Sequence, residues 1–281
     1  MPSNQPNSDR EEKFEDTFLE GTKDVDLGVY RSLFSAKSDI EGQDGGVVSA
    51  LLVKGFREGL FHAAIVVRRI QGYSAEAVVA ENLEDVLTAK GTKYLKVNVT
   101  KKLRELIAKG KRRIAIVCTP CEAAVARKIQ QTTGKNCEIT IIGLFCFESF
   151  NGEKLKEGVK SHLGINLDDA EKTQIRQGKF TAVVKGKEAS CRVKDLDGAV
   201  ENACHICDDF TSRSADVSVG SAGSKKGYST VIVRTNRGAK LVENLEAVKE
   251  DAEKQEIAKL SKFKRKRSEE NLAKLNKHQN R

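Results

Sequence analysis

Short apolar, β-branched runs alternate with segments of helical periodicity through the first half of the chain, a pattern that predicts an α/β sheet. Helix over residues 47–56 precedes a strand at 63–67, and a second strand at 77–80 precedes a short helix at 83–89. Residues 91–94 read as a loop, and residues 99–109 are amphipathic and helical. Ile114-Ala115-Ile116-Val117 is a buried strand. Thr119 then has the spacing of an N-cap, with Pro120 at the first helical position and Glu122 three residues after the cap. Good helix formers continue over residues 122–129. Another buried strand is expected at 139–146 and a helix at 155–163.

The pattern changes in the second half. Strand-like segments such as Ala182-Val183-Val184 alternate with charged turns over residues 171–200. Strands at 217–219 and 228–234 flank a glycine loop at 220–227. From residue 239 onward the pattern is helical and increasingly charged. The expected fold is therefore α/β: a mixed, largely parallel sheet flanked by helices, a more β-rich second half and a charged C-terminal helix. Residues 1–26, acidic and poor in β-branched side chains, are expected to be a disordered tail. The body divides at about residues 110 and 238, leaving 239–281 as a basic helical tail.

With 281 residues the chain can bury a substantial core. No apolar stretch reaches the roughly 18 residues of a membrane helix. The N-terminus lacks a basic start followed by an apolar run, so no secretory signal is expected. Seven cysteines, an odd number without such a signal, suggest reduced thiols and a cytoplasmic protein. The net charge of +9 is uneven: residues 1–27 carry eight acidic and three basic side chains, residues 261–281 eight basic and two acidic. Basic excess alone does not choose among nucleic acid, membrane surface and an acidic protein. An aromatic content of 5% offers few stacking platforms for bases. The cluster Lys262, Lys264, Arg265, Lys266 and Arg267 reads as a solvated helical face, with docking of an acidic partner as the alternative.

Four cysteines have the placement of a metal site. Cys121 falls in the first turn of a helix, where unpaired N–H groups and the helix dipole favour thiolate. Cys146 falls at the end of the next strand. Strand, helix and strand make a βαβ unit whose parallel strands end on one edge, where open α/β sheets bind ligands. Cys204 and Cys207 have the two-residue spacer that lets one loop supply two ligands. Spacing alone leaves an iron–sulfur cluster and structural zinc both open. Cys118, Cys137 and Cys191 read as buried and inert, and His205 as a neighbour of a ligand.

Two glycine loops have the composition to hold phosphate. Gly45-Gly46 stands directly before a helix, as a phosphate site or as a helix-entry turn capped by Asp44. The loop at 220–227 joins two strands, so a plain hairpin suits it equally.

Six segments, in order, resemble the coenzyme F420 hydrogenase/dehydrogenase beta subunit family. They are residues 42–52, 91–94, Pro120-Cys121, 143–150, 204–208 and 215–224. The resemblance covers about residues 27–235. It implies FAD and one [4Fe-4S] cluster, with Cys121, Cys146, Cys204 and Cys207 as cluster ligands. Implied flavin contacts are Gln43, Asp44, Gly45, Gly46 and Ser49, then Thr92, Lys93 and Tyr94, then Gly220, Ser221 and Gly223. Residues 27–110 would be the N-terminal flavin-contacting region, and 111–238 the cluster- and flavin-binding region. Coenzyme F420, a deazaflavin, would be the substrate, exchanging hydride at the flavin with no catalytic side chain of the usual kind. No further metal site is visible, so the electron donor or acceptor would be another protein: ferredoxin, or a hydrogenase or dehydrogenase subunit. A ferredoxin-linked reductase of a different substrate is the alternative, and a zinc-stabilised interaction or nucleic-acid-binding module the other. The acidic N-terminal stretch, the basic C-terminus and Cys118 beside a ligand depart from the family pattern.

Overall fold

The computed structural model describes residues 18, 19 and 21–279. Two sheets carry the fold. The larger has eight strands: β1 (Ser32–Ser38), β2 (Ala63–Arg69), β3 (Ala75–Ala80), β4 (Arg113–Cys118), β5 (Glu138–Leu144), β9 (Val217–Gly220), β10 (Ser229–Val233) and β11 (Ala247–Glu250). Their spatial order is β11-β1-β10-β9-β5-β4-β2-β3. The centre β2-β4-β5-β9 is parallel, while β3 on one side and β10, β1 and β11 on the other pair antiparallel. The smaller sheet is an antiparallel meander of β6 (Ala170–Arg176), β7 (Lys179–Val184) and β8 (Lys187–Arg192).

Helices cover both faces of the parallel centre, as such sheets require. Along β2, Ala64 and Val66 face α1 (Val47–Arg57), with Leu51 and Leu52 beneath it. Ala63 and Ile65 point the other way, against α3 (Val99–Ala108) and α4 (Pro120–Thr133), the alternation that a strand's period of two imposes. The short α2 (Leu83–Thr88) follows β3. The small sheet packs on α5 (Gly152–Leu163) through Phe150, Leu155, Val159 and Phe180. After α6 (Asn236–Val242) and β11, the chain ends in α7 (Lys254–Gln279).

Four expectations are corrected. Helix is not continuous from residue 239: α6 ends at Val242 and β11 intervenes before α7. β11 is a four-residue edge strand, largely exposed, and so carries no alternating signal. β1 was not anticipated because buried serines, Ser35 and Ser38, interrupt its apolar pattern. The strand expected to reach Cys146 stops at Leu144. Order also starts before residue 27: Thr22 bridges to Tyr30, and the Asp24 carboxylate accepts from the N–H groups of Asp26 at 2.8 Å and Leu27 at 2.9 Å. The expectation of disorder over residues 1–17 lies outside the described residues.

Two details of capping also differ. Thr119 and Pro120 open α4 as expected, but Glu122 does not reach back to the cap. Its carboxylate instead accepts from Val99 N at 3.0 Å, at the start of α3. The residue at the N-cap of α1 is Gly46, not Asp44, and it makes no side-chain cap.

Candidate functional site

The parallel strands β2, β4, β5 and β9 end on one edge, and the antiparallel partners β3 and β10 begin there. That topology collects the turn after β2, the start of α4, the loop after β5, the loop between β9 and β10 and the chain leaving β1. It is the edge where open α/β sheets take ligands.

The structure brings together the four cysteines expected there. Cys121 sits exposed in the first turn of α4, and Cys146 lies two residues past β5. Cys204 and Cys207 come from a 3-10 turn over Asn202–Ile206 and the residue after it. The backbone N–H of Ser149 points at Cys204 Sγ at 3.4 Å, and Lys96 Nζ stands 3.5 Å from Cys121 Sγ. Burial above all pushes the Cys146 thiol up to about 12; Lys264 opposes this, while Cys204, Cys207 and Cys121 each add to it. Burial likewise raises Cys207 to about 11, against the pull of Lys264. Four sulfurs thus share one electrostatic field, and as thiolates they need added positive charge, which bound metal supplies. Among the described residues, no three His, Cys, Asp or Glu side chains stand close enough to hold a single metal ion directly. Cys118 is buried at the end of β4, opposite Gly143 of β5, and Cys137 is buried as expected; Cys191 in β8 is half-buried.

The expected flavin contacts fall into two groups. Gln43, Thr92 and Lys93 line an open cleft between the β2–β3 turn and the small sheet. Gln43 ties it together: Oε1 accepts from Thr92 N at 2.8 Å and Nε2 donates to Tyr94 Oη at 3.1 Å. Tyr94 Oη in turn accepts from Ile175 N of β6 at 2.8 Å. Lys93 donates to the carbonyls of Ala89, Lys90 and Gly91, so it closes the end of α2 and reaches the cleft only as charge. Burial lowers its ammonium to about 8, with Arg69 adding to the effect. Burial raises the Asp44 carboxyl against the pull of Arg176 and Lys172. Ser49 lies in the first turn of α1, half-buried.

The glycines of the second group are held by packing. Gly46 has φ +66°, and a Cβ there would stand 1.8 Å from Ile40 O; one at Gly45 would meet Ala36 O at 2.4 Å. Gly220 lies under the Phe145 ring and Gly223 under Ile257 and the Glu253 carbonyl of the final helix and its approach. Ser221 is exposed between them. Close backbone approach therefore accounts for these glycines without a ligand.

Several site residues escaped the sequence reading. Arg69, Tyr73, Lys172 and Thr173 also line the cleft. They come from a turn and from an edge strand of the small sheet, and no motif marks them. The basic run on α7 was read as a solvated face, and that is corrected: Lys264 is 1% exposed. It donates to the carbonyls of Cys146 at 2.7 Å and Asp209 at 2.8 Å. Arg267 donates to Glu148 at 2.6 Å and to the carbonyls of Phe147 and Cys204.

Residues 33–104 match the N-terminal family model of the coenzyme F420 hydrogenase/dehydrogenase beta subunit, and residues 111–259 match its C-terminal counterpart. The chain belongs to this beta subunit family. It is 35% identical over 254 residues to the coenzyme F420-dependent sulfite reductase of Methanocaldococcus jannaschii, covering 85% of this chain and 40% of that protein. Identity to the F-type subunit of the F(420)H(2) dehydrogenase of Methanosarcina mazei is 36% over 226 residues, 79% of this chain and 65% of that one. The coenzyme F420 hydrogenase subunit beta of Methanococcus voltae is 36% identical over 223 residues, 75% of this chain and 80% of that one. This beta-subunit-family chain thus spans less than two thirds of the first two relatives. A chain of the F420-reducing [NiFe] hydrogenase complex from Methanosarcina barkeri superposes with a TM-score of 0.84 at 28% identity, covering 90% of this chain and 94% of that one. The mixed α/β fold with its C-terminal helix is that of the family. Among the described residues no helix is long and apolar enough to cross a membrane.

Proposed function

We propose that this chain passes electrons between coenzyme F420 and a partner protein, using FAD and a [4Fe-4S] cluster. The observation that carries the reading is the meeting of Cys121, Cys146, Cys204 and Cys207 at the sheet edge that also holds the Gln43–Thr92–Tyr94 cleft. When bound, the flavin supplies exchange between a hydride and single electrons, and the cluster carries those electrons one at a time. The protein's part is to hold, orient and charge the site. The four thiols would ligate iron, and their locality, wider than one ion's coordination sphere, suits a centre that brings its own iron and sulfide. Gln43, fixed by Thr92 and Tyr94, presents a rigid amide at the cleft wall, while Lys93, Arg69 and Lys172 give it positive potential toward an anionic ligand. No side-chain acid, base or nucleophile is assigned.

The partner would be another subunit or an electron carrier. The names of the relatives, a hydrogenase, a dehydrogenase and a sulfite reductase, agree with a module shared among oxidoreductases. Anaerobically purified protein should be brown, contain iron and acid-labile sulfide, and release FAD on denaturation. With a one-electron dye as donor it should bleach the absorbance of coenzyme F420. A colourless protein containing one zinc and no flavin would end this reading.

A further inference from the structure

We infer that Lys264 is a positioning residue of the cysteine site, a fixed positive charge that raises the reduction potential of the centre and joins its two ligand loops. The inference rests on the cluster reading above. α7 presents Ile257, Ser261, Lys264 and Ser268 as one buried stripe, with the four-three-four spacing of a helix face. Only the first is apolar. The stripe ends on the loops that carry the ligands rather than on a hydrophobic core.

Every donor of Lys264 is engaged there. Its ammonium donates to Cys146 O at 2.7 Å and Asp209 O at 2.8 Å, and hydrogen-bonds Cys207. One side chain therefore touches the loop after β5 and the loop after the Cys-x-x-Cys pair. Its neighbours complete the clamp: Ser268 Oγ donates to Ile206 O at 2.8 Å and Asn271 Nδ2 to His205 O at 2.9 Å. Among the described residues, Lys264 is the one lysine that is fully buried. A buried ammonium is costly unless opposing charge faces it. Asp209 provides one such charge. Four thiolates provide the rest, and a centre ligated by them gains a further negative charge on each reduction. A cation held nearby in low dielectric favours the reduced state, so it moves the potential upward. Lys96, near Cys121, lies on the more exposed side and is 37% exposed, where solvent screens it.

The test uses the full chain, purified anaerobically, in four forms: wild type, K264M, K264R and K262M, the last an exposed lysine of the same helix. Iron, acid-labile sulfide and the potential of the centre by redox titration with EPR detection are measured for each. K264M should hold less iron, and its retained centre should titrate at a more negative potential. K264R should recover iron and move the potential back toward wild type, and K262M should match wild type in both. Where K264M does not fold by circular dichroism, K264Q replaces it, because its amide keeps a donor for the two carbonyls without the charge. An unchanged potential in the neutral variant overturns the inference and leaves the cluster reading intact. A wild type that binds no iron–sulfur centre overturns both.

Discussion

The Arg127 guanidinium lies 2.9 Å from the Asp216 carboxylate, and both side chains are buried. Asp216 also accepts from Ile141 N and from Thr235 Oγ1, each at 2.7 Å, while Arg127 Nε donates to Ser214 O at 3.1 Å. This pair joins α4, whose first turn carries Cys121, to β5 and to the approach to β9. Asp216→Asn leaves the guanidinium buried without its charge partner, and should cost about 3–5 kcal/mol in denaturant unfolding. A cost below about 1 kcal/mol, the range of an exposed pair, would show that the pair does not brace the sheet.

Cys207→Ala removes one of four sulfurs from the proposed cluster. Iron and sulfide should be largely lost while FAD is retained, because the Gln43 cleft is built from other segments. Normal iron in this variant would count against the ligand assignment.

Tyr94→Phe strips the acceptor from the Ile175 N–H and a partner from Gln43. The orphaned buried donor should cost about 1–3 kcal/mol. Amide exchange should quicken in β6, and FAD should bind more weakly. Gln43→Ala should weaken FAD without quickening exchange at Ile175. Unaltered exchange in Tyr94→Phe would dismiss the bracing role.

Lys93 carries its charge below about pH 8 and loses it above, since burial and then Arg69 lower its ammonium from the usual lysine range. Positive potential in the cleft is therefore complete at neutral pH and falls as pH rises through about 8. FAD affinity should fall over the same window, and Lys93→Met should flatten the step. A profile identical in the two proteins would exclude Lys93 from the site's electrostatics.

The family and the parallel centre of the sheet were legible because their signals are local. Ile114-Ala115-Ile116-Val117, then Thr119-Pro120, specify a buried strand, a turn and a helix start within a few residues. Two such units in succession place Cys121 and Cys146 on one edge by topology alone. β1 and β11 were not legible, because serines interrupt one and the other is a short exposed edge. The helix α7 is the most instructive miss. Its buried face is Ser261, Lys264 and Ser268 rather than leucines, so a hydrophobicity pattern assigns it to solvent.

By itself the sequence determined which residues can carry the chemistry: four cysteines at two strand ends and in one close pair, and a Gln-Asp-Gly-Gly turn before a helix. Only the tertiary structure decided what surrounds them. Gly220 and Gly223 turned out to be packed beneath Phe145 and Ile257, Lys93 to be closing α2, and Lys264 to be turned inward on the ligand loops. The physical reason is range: propensity and periodicity act over one turn or one strand. The carbonyls that Lys264 meets are 118 and 55 residues away along the chain, and only folding brings them within 3 Å.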